Sequence, residues 1–288
     1  MQSVFFKSVK RFAASISGRV STMNVLITGA SGGLGRAFAL DCAERGYDLF
    51  LTDINEEGLL AVKQGINRQY DVIVRTKSCD ITSDEDVSRL MDYMKEHDIR
   101  LDMLMNVAGI DHEGGFLQRT FRQISGIVHV NIEATLRITY RAMELRRKNS
   151  RFFIIFVSSL ASMYPMPLKA TYAASKRFLL DFSIALGQEL KPKNVSVLAL
   201  CPGGLPTTRD AIDGISSQGF WGSVTTNHLE RVAHKTISKA QRGRTLYIPG
   251  LLNRTFSIAG RVLPAGWIAR LLYSRWSKSQ KKWLAVND

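Results

Sequence analysis

Short apolar runs alternate with longer stretches of helical periodicity along most of the chain. Apolar, β-prone runs predict strands over residues 24–28, 47–53, 72–76, 101–106, 152–158, 195–199 and 246–248. The run at 152–158 (FFIIFVS) is apolar at nearly every position, which is typical of a strand buried on both faces of a parallel sheet. Apolar residues spaced three or four apart predict helices over 36–45, 56–70, 83–98 and 171–189, and a long helix within 122–147.

This alternation predicts an α/β protein: a Rossmann-type, doubly wound parallel sheet in a single domain. The 288 residues, 45% of them hydrophobic, are enough for one large domain of this kind. The stretch 203–245 reads as irregular. Because ligands of open α/β sheets bind beyond the carboxyl ends of the strands, we expect this stretch to cover a site. We divide the chain into an N-terminal extension (1–22), a central domain (23–250) and a C-terminal extension (251–288).

The net charge of +14 is concentrated at the two ends of the chain. Residues 1–22 contain four Lys or Arg and no acid, and residues 231–288 contain twelve Lys or Arg against the single acid Asp288. The body between them is therefore close to neutral. The first 22 residues resemble a transit or membrane-surface segment. The alternative is that Met23, directly before the first strand, is the true start.

The three cysteines, Cys42, Cys79 and Cys201, are widely spaced and form no CxxC or Cys/His cluster. This spacing argues against a disulfide framework or a structural zinc site, and it fits a reducing compartment. We expect all three to be buried as small apolar residues and the protein to be cytoplasmic. No apolar run reaches the roughly 18 to 20 residues that a spanning helix needs.

Residues 28–35 (TGASGGLG) lie between a predicted strand and a predicted helix. Glycines there allow a tight turn, and the helix N-terminus offers amide groups to a pyrophosphate. Asp53 ends the second strand, where a carboxylate can accept hydrogen bonds from the adenosine ribose and repel a 2′-phosphate. This favours NAD over NADP. The alternatives are that Asp53 is a helix N-cap or a turn residue, or that Arg36 compensates a 2′-phosphate.

Residues 172–176 (YAASK) place Tyr172 and Lys176 four apart on one helix face. Hydride transfer to a carbonyl requires a proton for the developing alkoxide. A free tyrosine has a pKa of about 10, and a nearby ammonium group lowers that value. The alternative is a tyrosine packed on a helix beside a solvated lysine.

Taken together, these motifs resemble those of the short-chain dehydrogenase/reductase family, in order and spacing, over residues 23–250. TGASGGLG is similar to the family's TGxxxGxG loop, and YAASK to its YxxxK. Further matches are Ser159 thirteen residues before Tyr172, Asn131 in HVNIEAT, Asp80 in CDIT, and Cys201-Pro202-Gly203 followed by Thr207. Residues 106–109 (NVAG) depart from the family's NNAG at one position.

The resemblance implies a catalytic set in which Tyr172 is the general acid or base. Lys176 would lower the pKa of Tyr172 and bind the nicotinamide ribose, and Ser159 would polarise the substrate oxygen. Asn131 would anchor a water that links Lys176 to solvent. The implied cofactor-binding set is Gly29, Ser31, Gly33, Leu34, Gly35, Asp53, Asp80, Asn106, Ala108, Gly109, Tyr172, Lys176, Pro202, Gly203 and Thr207.

The implied function is an NAD(P)-dependent oxidoreductase that interconverts a secondary alcohol and a ketone. Apolar residues of 160–168 and 203–230 are expected to enclose a bulky hydrophobic substrate such as a steroid, bile acid or lipid. They are Leu205, Ile212, Ile215, Phe220, Trp221, Met163, Tyr164 and Met166. Two alternatives remain: a nucleotide-binding scaffold or redox sensor without turnover, and an epimerase or dehydratase that uses transient oxidation.

The C-terminal extension mixes apolar and aromatic residues with basic ones. The apolar members are Trp267, Ile268, Leu271, Leu272, Trp276 and Trp283, and the basic ones Arg261, Arg270, Arg275, Lys278, Lys281 and Lys282. This composition is typical of peripheral membrane contact. The alternative is a helix that closes the substrate pocket or an oligomer interface. No nucleic-acid-binding fold is recognisable. We expect a homodimer or homotetramer.

Overall fold

Every apolar run predicted as a strand contributes one in the computed structural model, which describes residues 23–206 and 226–284, the side chains of 261 and 278–284 excepted. The strands are β1 Asn24–Thr28, β2 Asp48–Asp53, β3 Val74–Ser78, β4 Met103–Asn106, β5 Phe152–Val157, β6 Val195–Leu200 and β7 Leu246–Tyr247. They form one sheet in the order β3-β2-β1-β4-β5-β6-β7, and every neighbouring pair is parallel. The predicted doubly wound sheet in a single domain is confirmed.

Nine α-helices accompany the sheet in the described part of the chain. They are α1 Gly33–Glu44, α2 Glu56–Asn67, α3 Asp84–Glu96, α4 Phe121–Val128, α5 Thr135–Leu145, α6 Ala170–Leu190, α7 Leu229–Gln241, α8 Leu251–Val262 and α9 Ala265–Leu284. Helices α1, α2 and α7 pack on one face of the sheet, and α3, α5 and α6 on the other. The sheet is therefore covered on both faces.

The continuous apolar run of β5 follows from this two-sided burial. Phe152, Ile154 and Phe156 belong to the core on one face of the sheet, together with α3, α5 and α6. The intervening residues, Ile155 among them, belong to the core on the other face. Successive side chains of a strand point to opposite faces, so a strand covered on both sides must be apolar at every position.

Local signals account for some of the boundaries of the helices and strands. Ser83 caps α3 as predicted, because its side chain accepts a hydrogen bond from the Asp86 amide at 3.2 Å. Helix α1 begins at Gly33 rather than at residue 36, because the glycines of the loop continue directly into its first turn. Strand β3 begins two residues later than predicted, because the Ile73 amide donates to the Asp48 side chain at 2.8 Å.

Two predictions of secondary structure were wrong. One of these is a matter of detail: the long helix expected within 122–147 is present, but a π-helical segment, His129–Ala134, replaces regular α-helix between α4 and α5, with helical dihedrals at both junctions. The stretch 203–245 is not irregular throughout, because Leu229–Gln241 forms α7. Its buried face repeats at helical spacing among many charged residues, which obscured the pattern. The face consists of Val232, Ala233, Thr236, Ile237 and Ala240.

The C-terminal extension forms two helices with different surroundings. Helix α8 packs against the short 3₁₀ turn Leu160–Met163 so closely that a Cβ on Gly260 would lie 2.9 Å from the Met163 carbonyl oxygen. Helix α9 instead presents Trp267 and Leu271 to solvent. No helix among the described residues is both long and apolar enough to cross a membrane. The division of the chain at residue 250 stays a prediction.

The three cysteines are buried and unpaired, as predicted from their spacing. Burial raises the pKa of each thiol, to about 11 for Cys79 and Cys201. They therefore behave as small apolar residues in the folded chain.

Candidate active site

The glycine loop closes through two backbone contacts that leave no room for a side chain. Gly29 has φ +65°, and a Cβ there would lie 2.7 Å from the Ala108 amide nitrogen. A Cβ on Gly35 would overlap the Gly29 carbonyl oxygen. Glycine at both positions thus brings the first turn of α1 against the end of β1. Gly33, Leu34 and Gly35 form that turn, with the Leu34 side chain buried in the core.

Asp53 ties the end of β2 to this loop. Its Oδ2 accepts from the Ser31 amide at 3.0 Å, and its Oδ1 from the Asn55 amide at 3.0 Å. The alternative role of Asp53 as a helix N-cap is wrong: Asn55 caps α2, accepting from the Gly58 amide at 2.9 Å. The Arg36 guanidinium lies at the same loop, where its Nε donates to the Ser31 carbonyl at 2.6 Å.

The loop after β4, residues 106–110, is bonded to the glycine loop through Thr28. The Thr28 hydroxyl accepts from the amides of Val107 at 3.1 Å and Ala108 at 3.3 Å. Asn106 is buried and donates to the Thr139 hydroxyl at 2.9 Å. Val107 packs against the core, which explains why an apolar residue is tolerated where the family has a second asparagine. Thr28 was not singled out from the sequence.

Asp80 lies beyond β3 at the same edge of the sheet. Its Oδ1 accepts from the Thr82 amide at 2.9 Å and from the Thr82 hydroxyl at 2.7 Å. These bonds fix the carboxylate at the carboxyl end of the strands, where the family resemblance expects an adenine contact.

Lys176 and Tyr172 lie on α6 with the spacing that the sequence predicted. The Lys176 side chain is buried, its Nζ donates to the Val157 carbonyl at the end of β5 at 3.0 Å, and it lies 5.7 Å from the centroid of the Tyr172 ring. Burial lowers the pKa of Lys176 to about 8.

The phenol of Tyr172 does not have the lowered pKa that the sequence led us to expect. Burial and the Asp111 carboxylate raise the pKa of Tyr172 above 10, against the lowering effect of Lys169 and of hydrogen bonding with Ser159. The larger ammonium effect on Tyr172 thus comes from Lys169 and not from Lys176. The physical reason is desolvation, which disfavours the phenolate.

The two adjacent serines have different partners. Ser158 is buried, and its hydroxyl donates to the Lys176 carbonyl at 2.7 Å. Ser159 begins the 3₁₀ turn, where its Oγ accepts from the Ala161 amide at 3.1 Å. Interaction with Ser159 lowers the pKa of Tyr172, so the residue chosen on spacing lies near the phenol.

Asn131 is buried in the π-helical segment and holds the loop after β4. Its Oδ1 accepts from the Ile110 amide at 2.8 Å, and its Nδ2 donates to the Ile110 carbonyl and the Ser175 hydroxyl, each at 3.0 Å. A Cβ on Gly109 would lie 3.0 Å from Lys176 Nζ and 3.1 Å from Asn131 Oδ1. Gly109 therefore leaves room for both side chains beside the loop. The water that Asn131 is expected to anchor stays a prediction.

Residues 202–204 lie beside the Ser159 turn, at the carboxyl end of β6. The Pro202 carbonyl accepts from the Leu160 amide at 2.7 Å, and the Gly203 amide donates to Asn227 Oδ1 at 3.0 Å. Asn227 was not foreseen from the sequence, because nothing local distinguishes it. Thr207 lies outside the described residues, as do Ile212, Ile215, Phe220 and Trp221.

Part of the expected substrate cover belongs to the core instead. Leu160 and Met163 are buried in a cluster with Cys201 and Ile248 beneath α8. Tyr164 packs on the same cluster, and Leu205 on the core that contains α1. Leu160 and Met163 therefore support the Ser159 turn and do not line an open pocket. The physical reason is the close approach of α8.

A charged cluster beside Tyr172 also escaped the sequence analysis. Lys169 Nζ donates to Asp111 Oδ2 at 2.8 Å and pairs with Glu113. His112 and Arg119 line a small pocket that contains Tyr172 and Lys169. The acids and Lys169 are more than fifty positions apart in the chain, so no local pattern links them.

Comparison with known proteins places these motifs in one family. A sequence model described as short chain dehydrogenase matches residues 23–212. The very-long-chain 3-oxoacyl-CoA reductase of Coccidioides immitis is 33% identical over 215 residues, which are 72% of this chain and 61% of the relative. That of Eremothecium gossypii is 36% identical over 179 residues, 60% of this chain and 51% of the relative. The chain thus spans about half to three fifths of these relatives.

Solved structures share the fold. A short-chain dehydrogenase from Sphingobium yanoikuyae in complex with NADPH aligns with TM-score 0.69 at 26% identity, covering 83% of this chain and 93% of that one. A 7β-hydroxysteroid dehydrogenase aligns with TM-score 0.78 at 19% identity, covering 87% and 96%. At that identity the second likeness shows the fold alone.

The contact between Gly35 and Gly29 gives a direct test of the loop. In Gly35→Ala the new Cβ needs the position of the Gly29 carbonyl oxygen, so α1 must move away from the loop. We expect dinucleotide affinity to fall about tenfold or more, measured by calorimetric titration with NADH and NADPH. The matched control is Gly65→Ala in α2, where a Cβ meets nothing within 4 Å. It should leave affinity unchanged and stabilise the fold by about 0.5–1 kcal/mol. Unaltered affinity in Gly35→Ala would contradict the assignment of this loop.

Proposed function

The chain belongs to the short-chain dehydrogenase family, and from that premise we propose that it is an NAD(P)-dependent oxidoreductase that interconverts a secondary alcohol and a ketone. The observation that carries the proposal is the convergence of Tyr172, Ser159 and Lys176 beside the glycine loop. Gly109 contacts Lys176, and its neighbour Ala108 contacts Gly29, so one short segment connects the two halves of the site.

The residues present fit a dinucleotide. A Cβ at Gly29 or at Gly35 would meet backbone atoms, so these glycines keep the turn tight where it enters the N-terminus of a twelve-residue helix, which suits a pyrophosphate. We propose that the backbone of this loop holds the pyrophosphate, Asp53 the adenosine ribose and Asp80 the adenine. The segments 106–109 and 202–203, with Lys176, would hold the nicotinamide end. When bound, the nicotinamide supplies or accepts the hydride.

The reacting proton is assigned to Tyr172. In reduction its hydroxyl gives a proton to the substrate oxygen as the carbonyl carbon becomes the carbinol carbon, and a phenolate remains. In oxidation the phenolate takes the proton back. The Ser159 hydroxyl, which lies near the phenol, would hold the same substrate oxygen. The buried Lys176 ammonium lies within 6 Å of the ring and would favour the phenolate.

Two other functions are less well supported. A scaffold or sensor without turnover has no need for a buried lysine within 6 Å of a tyrosine ring. An epimerase or dehydratase usually adds a second substrate domain, and residues 23–206 and 226–284 form one sheet with its flanking helices. The convergent side chains favour turnover.

For the substrate we propose a 3-oxoacyl or 3-hydroxyacyl thioester of a lipid chain, ahead of a steroid or bile acid. The support comes from the relatives, which are named for 3-oxoacyl-CoA reduction, and from the apolar part of the pocket at Tyr172, which His112, Arg119 and Lys169 also line. Its apolar lining includes Phe116, Ile124, Ile127 and Leu168. The 19% identity to a hydroxysteroid dehydrogenase carries no information about substrate.

Of the two cofactors we propose that NAD is preferred. The Asp53 carboxylate is fixed at the end of β2 by two backbone amides, so a 2′-phosphate placed there would meet a negative charge. Arg36 is the one opposing feature, since its guanidinium lies at the same loop.

We also propose a homodimer or homotetramer. Large apolar side chains are exposed along three helices at one side of the molecule, more than a monomer needs to present to water. They are Phe121 and Val128 in α4, Tyr140 in α5, and Phe178 and Ile184 in α6. The remaining partner would be a small hydrophobic substrate and not nucleic acid.

Finally, we propose that the C-terminal helices contact an anionic membrane surface from the cytoplasm. In α9, Trp267 is 72% and Leu271 68% exposed, four residues apart on one face. Leu251, Ile258 and Val262 form a similar exposed stripe on α8. Exposed arginines accompany both helices, which matches the combination of apolar insertion and headgroup attraction found in peripheral helices.

The proton assignment predicts that Tyr172→Phe loses about a hundredfold to ten-thousandfold of the wild-type kcat. The measurement follows nicotinamide absorbance with a panel of 3-oxoacyl-CoA thioesters, hydroxysteroids and simple ketones. Tyr140→Phe, at an exposed tyrosine of α5, is the matched control and should retain full activity. Equal turnover by Tyr172→Phe would end the assignment, and activity on the steroids alone would overturn the substrate proposal.

The cofactor preference predicts that Asp53→Asn raises kcat/KM for NADPH relative to NADH by about ten- to a hundredfold. The variant removes the charge that repels a 2′-phosphate and leaves Arg36 beside it. Asp98→Asn makes the same chemical change at an exposed residue after α3 and should not alter the ratio. A wild-type enzyme that already prefers NADPH would show the preference to be wrong.

The membrane proposal predicts that the full chain co-sediments with phosphatidylserine vesicles and not with phosphatidylcholine vesicles. Replacing Trp267 and Leu271 together by Ala should weaken binding at least about tenfold, because two apolar side chains no longer leave water. Leu117→Ala, at an exposed leucine remote in sequence, is the control. Failure of the unmodified chain to bind would exclude this role for α9.

A further inference from the structure

Tyr172 has a second ammonium group beside it. Lys169 precedes it by three residues at the start of α6, and its Nζ lies 5.7 Å from the centroid of the Tyr172 ring, the same distance as Lys176 Nζ. The Lys169 side chain is only 18% exposed. Its Nζ donates to Asp111 Oδ2 at 2.8 Å and also pairs with Glu113. An ion cluster thus lies beside the phenol ring, with Lys169 mostly buried and the Asp111 and Glu113 side chains 26% and 43% exposed.

The backbone holds this cluster in place. Leu168 has φ +66°, in the left-handed region that residues other than glycine rarely adopt. Its carbonyl accepts from the Gly114 amide at 2.9 Å, which joins the start of α6 to the loop that carries both acids. A strained residue that persists beside a site requires surrounding contacts to fix it. The bonds from Lys169 to the two acids and from Gly114 to Leu168 are such contacts.

We propose that Lys169, held by Asp111 and Glu113, is a positioning residue that sets the charge felt by the phenol of Tyr172 and so the pH at which the enzyme turns over. The proposal rests on the proposed role of Tyr172 as proton donor and acceptor. It concerns how readily that proton is released and not which substrate is bound.

The charged and titratable groups around the phenol come from every element packed on it. Helix α6 supplies Lys169 and Lys176, and the segment after β4 supplies the rest of the charge: Asp111, His112, Glu113 and Arg119. The segment after β5 supplies the neutral Ser159, and Cys201, after β6, lies near Lys176 with a raised pKa that keeps its thiol neutral. Among these groups, the ion cluster of Lys169, Asp111 and Glu113 carries one net negative charge.

The two signs in the cluster act on Tyr172 in opposite directions. Burial and Asp111 raise the pKa of Tyr172, and Glu113 adds to this, whereas Lys169 lowers it. Burial alone would lower the pKa of Lys169 itself, but its two acids outweigh burial and keep that pKa above its ordinary value, so Lys169 stays charged. If the cluster only stabilised the fold, removing Lys169 and removing Asp111 would not shift the pKa of Tyr172 in opposite directions.

The test is the pH dependence of a set of variants. Oxidation of the alcohol needs the phenolate, so its rate rises with pH through the Tyr172 pKa. Lys169→Met should move this limb up by about one pH unit, and Asp111→Asn should move it down by a similar amount. Asp111→Asn combined with Lys169→Met should lie between the two. Lys169→Arg keeps the charge and should retain the wild-type profile.

A readout independent of turnover separates this proposal from the proposed function. Tyrosinate absorbance is titrated in each variant, with the same variant carrying Tyr172→Phe as the subtracted reference, so that the ionisation of Tyr172 is seen directly. Lys193→Met, at an exposed lysine just beyond α6, is the control and should shift nothing. Shifts of opposite sign in the Lys169 and Asp111 variants support the proposal even in an inactive protein. Unshifted titrations in folded variants, whatever their activity, would overturn it.

Discussion

The site depends on the placement of a short backbone segment, residues 106–110. On one side the Thr28 hydroxyl accepts from two of its amides, and Gly29 approaches it too closely for any side chain. On the other side the buried Asn131 amide bonds both the N–H and the C=O of Ile110. Gly109, between these anchors, leaves room for the Lys176 and Asn131 side chains beside the segment. The nucleotide half and the chemical half of the site are thereby fixed to one another through a few backbone atoms.

That placement is possible only because the sheet is parallel and covered on both faces. The carboxyl ends of β1, β4, β5 and β6 lie side by side in the sheet. Each of these strands ends beside one part of the site: Thr28 for β1, the 106–110 segment for β4, Ser159 for β5 and Pro202 for β6. These parts therefore converge although they are far apart in sequence. The π-helical segment affects the position of Asn131. In a regular α-helix across 122–147, the Asn131 side chain would lie at a different height and angle relative to the 106–110 segment.

Charge near the phenol is governed by burial. Desolvation raises the pKa of Tyr172 and lowers that of Lys176, so each group is shifted towards its neutral form. Beside them, Lys169 remains charged because two carboxylates hold it. The phenol thus has two ammonium groups near its ring. Burial lowers the pKa of Lys176, whereas two carboxylates raise the pKa of Lys169. This balance was not visible from the spacing of Tyr172 and Lys176, which by itself suggested a simple lowering of the phenol's pKa.

The sequence predicts the strands, most of the helices and the tight turn of the glycine loop. These features have local causes: the continuous apolar run of β5, which is buried on both faces, the Ser83 cap, and a backbone at Gly29 and Gly35 that admits no Cβ. The sequence did not predict α7, whose buried face is diluted by charged residues, or the π-helical segment that contains Asn131. Only the tertiary structure decided that Asp111 meets Lys169 across 58 positions, and that α8 buries Leu160 and Met163. Contacts of that kind depend on which loops the sheet order brings together, and no periodicity along the chain encodes them.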